Sequence, residues 1–224
     1  MSAYSNVYPH SLDIPPLVEA LHPLSSSLVC APPVSVLQQL RIATAVQHKA
    51  LEARLPLTHP DLDRQTYVRI LEAYYGFHAP LQLRIDAFLG ADAREPEREK
   101  VATLIRDLHA LGLSDADISR LPVCADLPPL DHVGHLFGIQ YVMEGATLGG
   151  QVLRRLIFGR LGIEAENGAA FLDVYGRDTG RLWKAFLDRL AELDHPDVNP
   201  KVVQAACATF ACFEQWLARA GVLR

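Results

Sequence analysis

Apolar residues recur along most of this chain at steps of three and four, the period of an amphipathic helix. From Ser35 onward, Leu37, Leu40, Thr44, His48, Leu51 and Leu55 fall on one stripe of a helix that Pro56 closes. Asp61 or Asp63 can cap a second, longer helix through Tyr67, Ile70, Leu71, Tyr74, Phe77, Leu81, Ile85 and Phe88, ended by Gly90 and expected to kink at Pro80. Val101, Leu104, Ile105, Leu108 and Leu111 predict a shorter helix before Gly112, and a proline-bearing loop then runs to about Pro129. Residues 131–160 are apolar and helix-like. A short segment at 169–175, a helix from Thr179 to about Leu193 and a last helix opened by Asn199-Pro200 and ended by Gly221 complete the pattern.

No alternating strand pattern competes with these helices, so the expected fold is all-α: several antiparallel helices packed as one bundle over residues 35–224. Residues 1–34 carry six prolines and the run Ser25-Ser26-Ser27, which resist long helices and read as an N-terminal extension.

Composition narrows the function. A chain of 224 residues suits a single core, since one core serves up to roughly 250 residues. Its formal net charge of −5 and lack of a basic stripe argue against nucleic-acid binding. No stretch reaches the ~18 apolar residues of a membrane span, and no signal peptide opens the chain, so it is expected in the cytoplasm. Cys30, Cys124, Cys207 and Cys212 form no CxxC pair and read as free, largely buried thiols.

Two features carry candidate chemistry. His48 sits on the stripe of the first helix, with Glu52 one turn later to accept a proton from one ring nitrogen and Arg41 two turns earlier to meet an anion. A core histidine satisfied by ordinary hydrogen bonds would look the same. The second feature is the density of glycine in residues 131–160, where Gly134, Gly138, Gly145, Gly149 and Gly150, among others, each cost up to ~1 kcal/mol in a helix interior. Glycine here either lets a flat ligand approach the backbone or lets two helices pack closely.

The run Leu40-Arg41-Ile42-Ala43-Thr44-Ala45-Val46-Gln47-His48-Lys49-Ala50-Leu51-Glu52 resembles the proximal helix of haem oxygenases, and Gly138-Ile139-Gln140-Tyr141-Val142-Met143-Glu144-Gly145 through Gln151-Val152-Leu153-Arg154-Arg155 resembles their distal helix. Weaker similarity at 67–78, at Tyr175-Gly176 with Trp183-Lys184-Ala185-Phe186, and at 205–213 extends it over about residues 37–217. The resemblance implies that haem b is both substrate and cofactor, with iron held by His48 and Glu52 orienting that ring. It also implies that Thr44, Tyr141, Gly145, Gly149 and Gly150 lie against the macrocycle, and that Arg41 and Lys184 pair with its propionates, although Lys184 equally suits an exposed helix charge. The products would be biliverdin, carbon monoxide and iron. Electrons would come from a ferredoxin or flavoprotein reductase, since no dinucleotide fingerprint is present, and a phytochrome is one acceptor of the biliverdin. The chain departs from the animal pattern at Ala146, where those relatives carry an aspartate that organises distal water.

Three alternatives belong beside this. A haem-binding or haem-sensing protein without turnover would keep His48 and tolerate Ala146. A di-iron oxidase would draw on Glu19/His22, Glu192/His195 or His132/His135, but Pro23 and Pro196 break the two ExxH pairs. A cysteine hydrolase would need a base near one of the thiols, which the sequence does not place.

Overall fold

In the computed structural model residues 34–224 are described, apart from 94, 96, 97 and 99 and the side chain of Asp92. The expected N-terminal extension, Cys30 and the Glu19/His22 pair lie outside the described residues. Among these residues there is no strand, and the all-α expectation holds: eight α-helices are linked by short loops and 3-10 turns.

Helix α1 (Val36–Arg54) begins where Ser35 accepts a hydrogen bond from Gln38 N, and it stops before Pro56. The C-terminus of the chain closes its far end, Arg224 N donating to Arg54 O at 3.0 Å. Helix α2 (Arg64–Leu89) is capped by Asp63, not Asp61. Hydrogen bonds from Thr66 hold the Asp63 carboxyl below its usual range. Gly90 takes a φ of 75° at its C-cap, a conformation that costs glycine nothing. The helix continues through Pro80. Proline removes the donor that Gly76 O would otherwise receive, and Cys124 N supplies one from the neighbouring loop at 2.8 Å.

Helix α3 (Val101–Ala110) follows, then a one-turn helix α4 (Asp115–Ile118), which the expected loop did not include. Ser114 and Asp117 cap it reciprocally, a polar signal in a stretch read only for its prolines. The glycine-rich segment is two helices, α5 (Val133–Gly145) and α6 (Gly150–Leu161), joined by a 3-10 turn over Ala146–Gly149. Short 3-10 turns lead to α7 (Thr179–Glu192), and α8 (Asn199–Arg219) ends the bundle.

Helix α8 is the central post. It packs against α1, α2 and α5. Gly138 lets α5 approach it: a Cβ there would stand 2.3 Å from Val202 O and 2.7 Å from Ala205 Cβ. Phe77, Phe213 and Tyr74 fill the junction with α2, and the Trp216 indole donates to Ala73 O at 2.7 Å. Cys124 and Cys212 are free, buried thiols, and Cys207 is half-buried. Burial pushes the Cys212 thiol up to about 12, which makes it a poor nucleophile. No helix of the described residues is long and apolar enough to cross a membrane.

Candidate functional site

Helices α1 and α5 both lean on α8, and α6 runs back to the end of α1, where Arg160 donates to Leu57 O at 3.2 Å. His48 stands on the α1 side. Its side chain is 54% exposed, not buried as the apolar stripe implied. The stripe drifts because a helix turns 100° per residue: Leu40, Thr44 and Leu51 go inside and His48 lies at their margin. One face of its ring meets α8, with the Phe210 ring edge-on at 5.8 Å. Its Nδ1 faces Glu52 Oε2 at 3.5 Å, and no described residue hydrogen-bonds Nε2, which leaves that nitrogen able to bind a metal.

Thr44, one turn earlier, is buried, and its hydroxyl donates to Leu40 O at 2.8 Å, so only its methyl is available to a ligand. Arg41 is exposed two turns before His48. Lys184, on α7, is 76% exposed and paired with Asp188 at 2.5 Å, so its charge is shared.

The five glycines divide by what a side chain would meet. At Gly149 a Cβ finds nothing within 4 Å, and at Gly145 it would meet only the Trp183 ring at 3.8 Å. Tyr141, Gly145, Leu148, Gly149 and Val152 follow one another at helical spacing, and Leu148 and Val152 are large apolar side chains left exposed. This face is open, apolar and bare, as a flat apolar ligand requires. Gly150 does not belong to it. A Cβ at Gly150 would lie 1.7 Å from Leu172 O, so this glycine exists to pack α6 against the 171–173 turn. Gly138 and Gly134 are likewise packing glycines against α8 and its start. Close packing, the alternative explanation of glycine, therefore holds for three of the five.

Behind Gly145 lies a buried ionic cluster that the sequence did not single out. The Glu144 carboxylate accepts from Lys100 Nζ at 2.6 Å, from Arg98 Nη1 at 2.8 Å, and from the Tyr175 hydroxyl, which lies 3.1 and 3.0 Å from its two oxygens. Lys100 Nζ also donates to Tyr175 Oη at 2.7 Å. Arg98 reaches α7 through Leu182 O and pairs with Glu95, which in turn binds Arg189. Burial draws the Lys100 ammonium below its ordinary range, against the pull of Glu144, and burial together with Glu144 raises the Tyr175 phenol. Burial, helped by the Lys100 charge, lowers the neighbouring His78 imidazole to about 3. The available signal was a lone acidic residue in the apolar run Val142-Met143-Glu144, which needs buried cations whose position sequence spacing cannot reveal.

The other pairs weighed from sequence fall elsewhere. His132 Nδ1 accepts from Gly134 N and caps α5, His135 pairs with Asp131, and the backbone of His195 turns into Asn199. Among the described residues no three His, Cys, Asp or Glu side chains gather as metal ligands.

A family profile described as haem oxygenase matches residues 34–219. A search of the curated proteins finds no match. Among solved structures, the haem oxygenase of Leptospira interrogans superposes with a TM-score of 0.64 at 20% identity, over 83% of this chain and 99% of that one. Haem oxygenase-1 of the cyanobacterium Synechocystis, solved with haem, gives 0.66 at 15%, over 82% and 91%. The NO- and CO-bound haem oxygenase of Neisseria meningitidis gives 0.66 at 20%, over 84% and 92%. At these identities the superpositions establish the fold, and the profile establishes the family.

Proposed function

We propose, from the premise that this chain belongs to the haem oxygenase family and is a haem-degrading enzyme, that it opens haem b to biliverdin, carbon monoxide and iron with dioxygen and external electrons. The observation that carries this reading is that one bundle carries both His48, exposed with Nε2 unengaged, and an apolar stretch that is bare at Gly145 and Gly149. When bound, haem supplies the iron that activates oxygen and is itself the molecule cleaved.

The protein's part is to hold and to shield. His48 Nε2 would hold the haem iron, and Glu52, whose Oε2 lies 3.5 Å from Nδ1, would orient the ring. Phe210 supports the imidazole edge-on, and the Thr44 methyl, Tyr141, Gly145 and Gly149 contact the macrocycle. Arg41 and Lys184 pair with the propionates, with Lys184 turning from Asp188 to do so. A ferredoxin or flavoprotein reductase provides the electrons, a phytochrome is a fitting acceptor of the biliverdin, and the enzyme works in the cytoplasm.

The test is a visible-absorption titration of the purified protein with hemin, followed by ascorbate or a ferredoxin reductase system in air. A saturable one-to-one Soret band that decays as biliverdin absorption grows is expected. A stable band without turnover would reduce the chain to a haem binder, and no band would end the haem reading. His48→Ala should abolish the native Soret spectrum while changing stability by less than about 0.5 kcal/mol, as befits an exposed helical site.

A further inference from the structure

Beside the 3-10 turn that joins α5 to α6, residues of α2, α5 and the segment before α3 line a partly open pocket with about 40 Å³ of room for water, whose polar side is formed by His78, Lys100, Gln140 and Glu144 among others. One water needs about 10–15 Å³ and two to four polar partners. Gln140 is 7% exposed, and its Oε1 has no hydrogen-bond donor. A buried acceptor left without a donor is costly, and native proteins rarely tolerate one dry. Glu144 has the complementary vacancy: Lys100, Arg98 and the one Tyr175 proton occupy three of about four acceptor positions on its carboxylate.

Glu144 is also where the bend begins. Its carbonyl accepts from Thr147 Oγ1 at 2.7 Å, and the residue after it, Gly145, ends α5 and opens the 3-10 turn to Gly149. Side chain and main chain of Glu144 are therefore both held, one by the cluster and one by the turn. Ala146, in that same turn, offers no polar side chain.

We propose that this cavity is a built water site, with ordered water donating to Gln140 Oε1 and Glu144, and that the hydrated cluster sets the position of the Gly145–Gly149 bend. Gln140 and Tyr175 are then positioning residues for the wall at Gly145 and Gly149. Only the use of that wall by haem rests on the haem reading; the water site and the bend belong to the ligand-free protein.

A crystal structure of the ligand-free full chain should show water within about 3 Å of Gln140 Oε1, and a dry cavity overturns the site. Gln140→Leu and Tyr175→Phe should each raise hydrogen exchange of the amides at 145–150 several-fold, with α8 unchanged. Unchanged exchange in both variants overturns the positioning role. In the haem-loaded protein both variants should keep the wild-type Soret band and shift the C–O stretch of the ferrous carbonyl complex, and an unmoved stretch overturns the link to the distal face. If the wild type takes up no hemin, the haem reading falls, and the crystal and exchange results still decide the cavity.

Discussion

The two walls of the site are built by different means. The α1 wall is one regular helix whose proposed site residues, Arg41, His48 and Glu52, lie within about three turns and face outward from a core stripe. Behind its middle stands α8, through Phe210 and the Gln47 side chain on Cys207 O, while its start is tied to Asp194 after α7. The α5–α6 wall has almost no side chains of its own at Gly145 and Gly149, and its shape is imposed from behind by Glu144, Lys100, Arg98 and Tyr175. One wall offers a ligand and can tolerate loss of it. The other offers space, and space in a folded chain must be held open by contacts elsewhere.

The sharpest way to break that contrast is Glu144→Leu. It leaves Lys100 and Arg98 buried beside each other without their shared anion, and removing one partner of a buried pair costs about 3–5 kcal/mol. Chemical denaturation should show this loss, against the near-silent His48→Ala. A loss under about 1 kcal/mol would mean that the cluster opens to water and holds nothing.

The same contrast explains what could be read in advance. Helix α1, its N-cap at Ser35 and its end before Pro56, and the His48–Glu52 pair depend on neighbours within four residues, and local spacing exposes them. Pro80 shows the limit: it frees the Gly76 carbonyl, and the donor that satisfies it comes from Cys124, a residue far along the chain. Glu144 finds its partners 44 and 46 residues away, and no periodicity records such a pairing. Gly149 and Gly150 are adjacent and identical in sequence, yet one faces open space and the other the Leu172 carbonyl. Which of two glycines packs is decided by the partner surface.

That last difference makes the second experiment. Gly150→Ala forces a methyl into a backbone oxygen and should cost about 3 kcal/mol of stability, the upper end for overpacking. Gly149→Ala should leave stability level or raise it by up to about 1 kcal/mol, because its backbone is already helical. It should instead weaken hemin binding, since the new methyl stands on the open face. Equal melting temperatures for the two variants would erase the division between packing and site glycines.

The smallest effect separates the walls by pH. His78, behind the α5–α6 wall, has its imidazole lowered to about 3 by burial and by Lys100, against an ordinary value near 6.5. Between about pH 6.5 and 3 the unfolded chain binds a proton at residue 78 that the folded chain refuses, so stability must rise with pH across that window. The contribution is fully present above the unfolded value and is lost as the pH falls toward 3. At pH 5 the loss from this one residue is about 2 kcal/mol. Urea melts of the ligand-free protein at pH 7.5 and 5 should therefore differ by about 2 kcal/mol more in the wild type than in His78→Gln. If His78→Gln and the wild type lose the same stability on acidification, His78 is protonated in the fold, and the distal wall is as open to water as the proximal one.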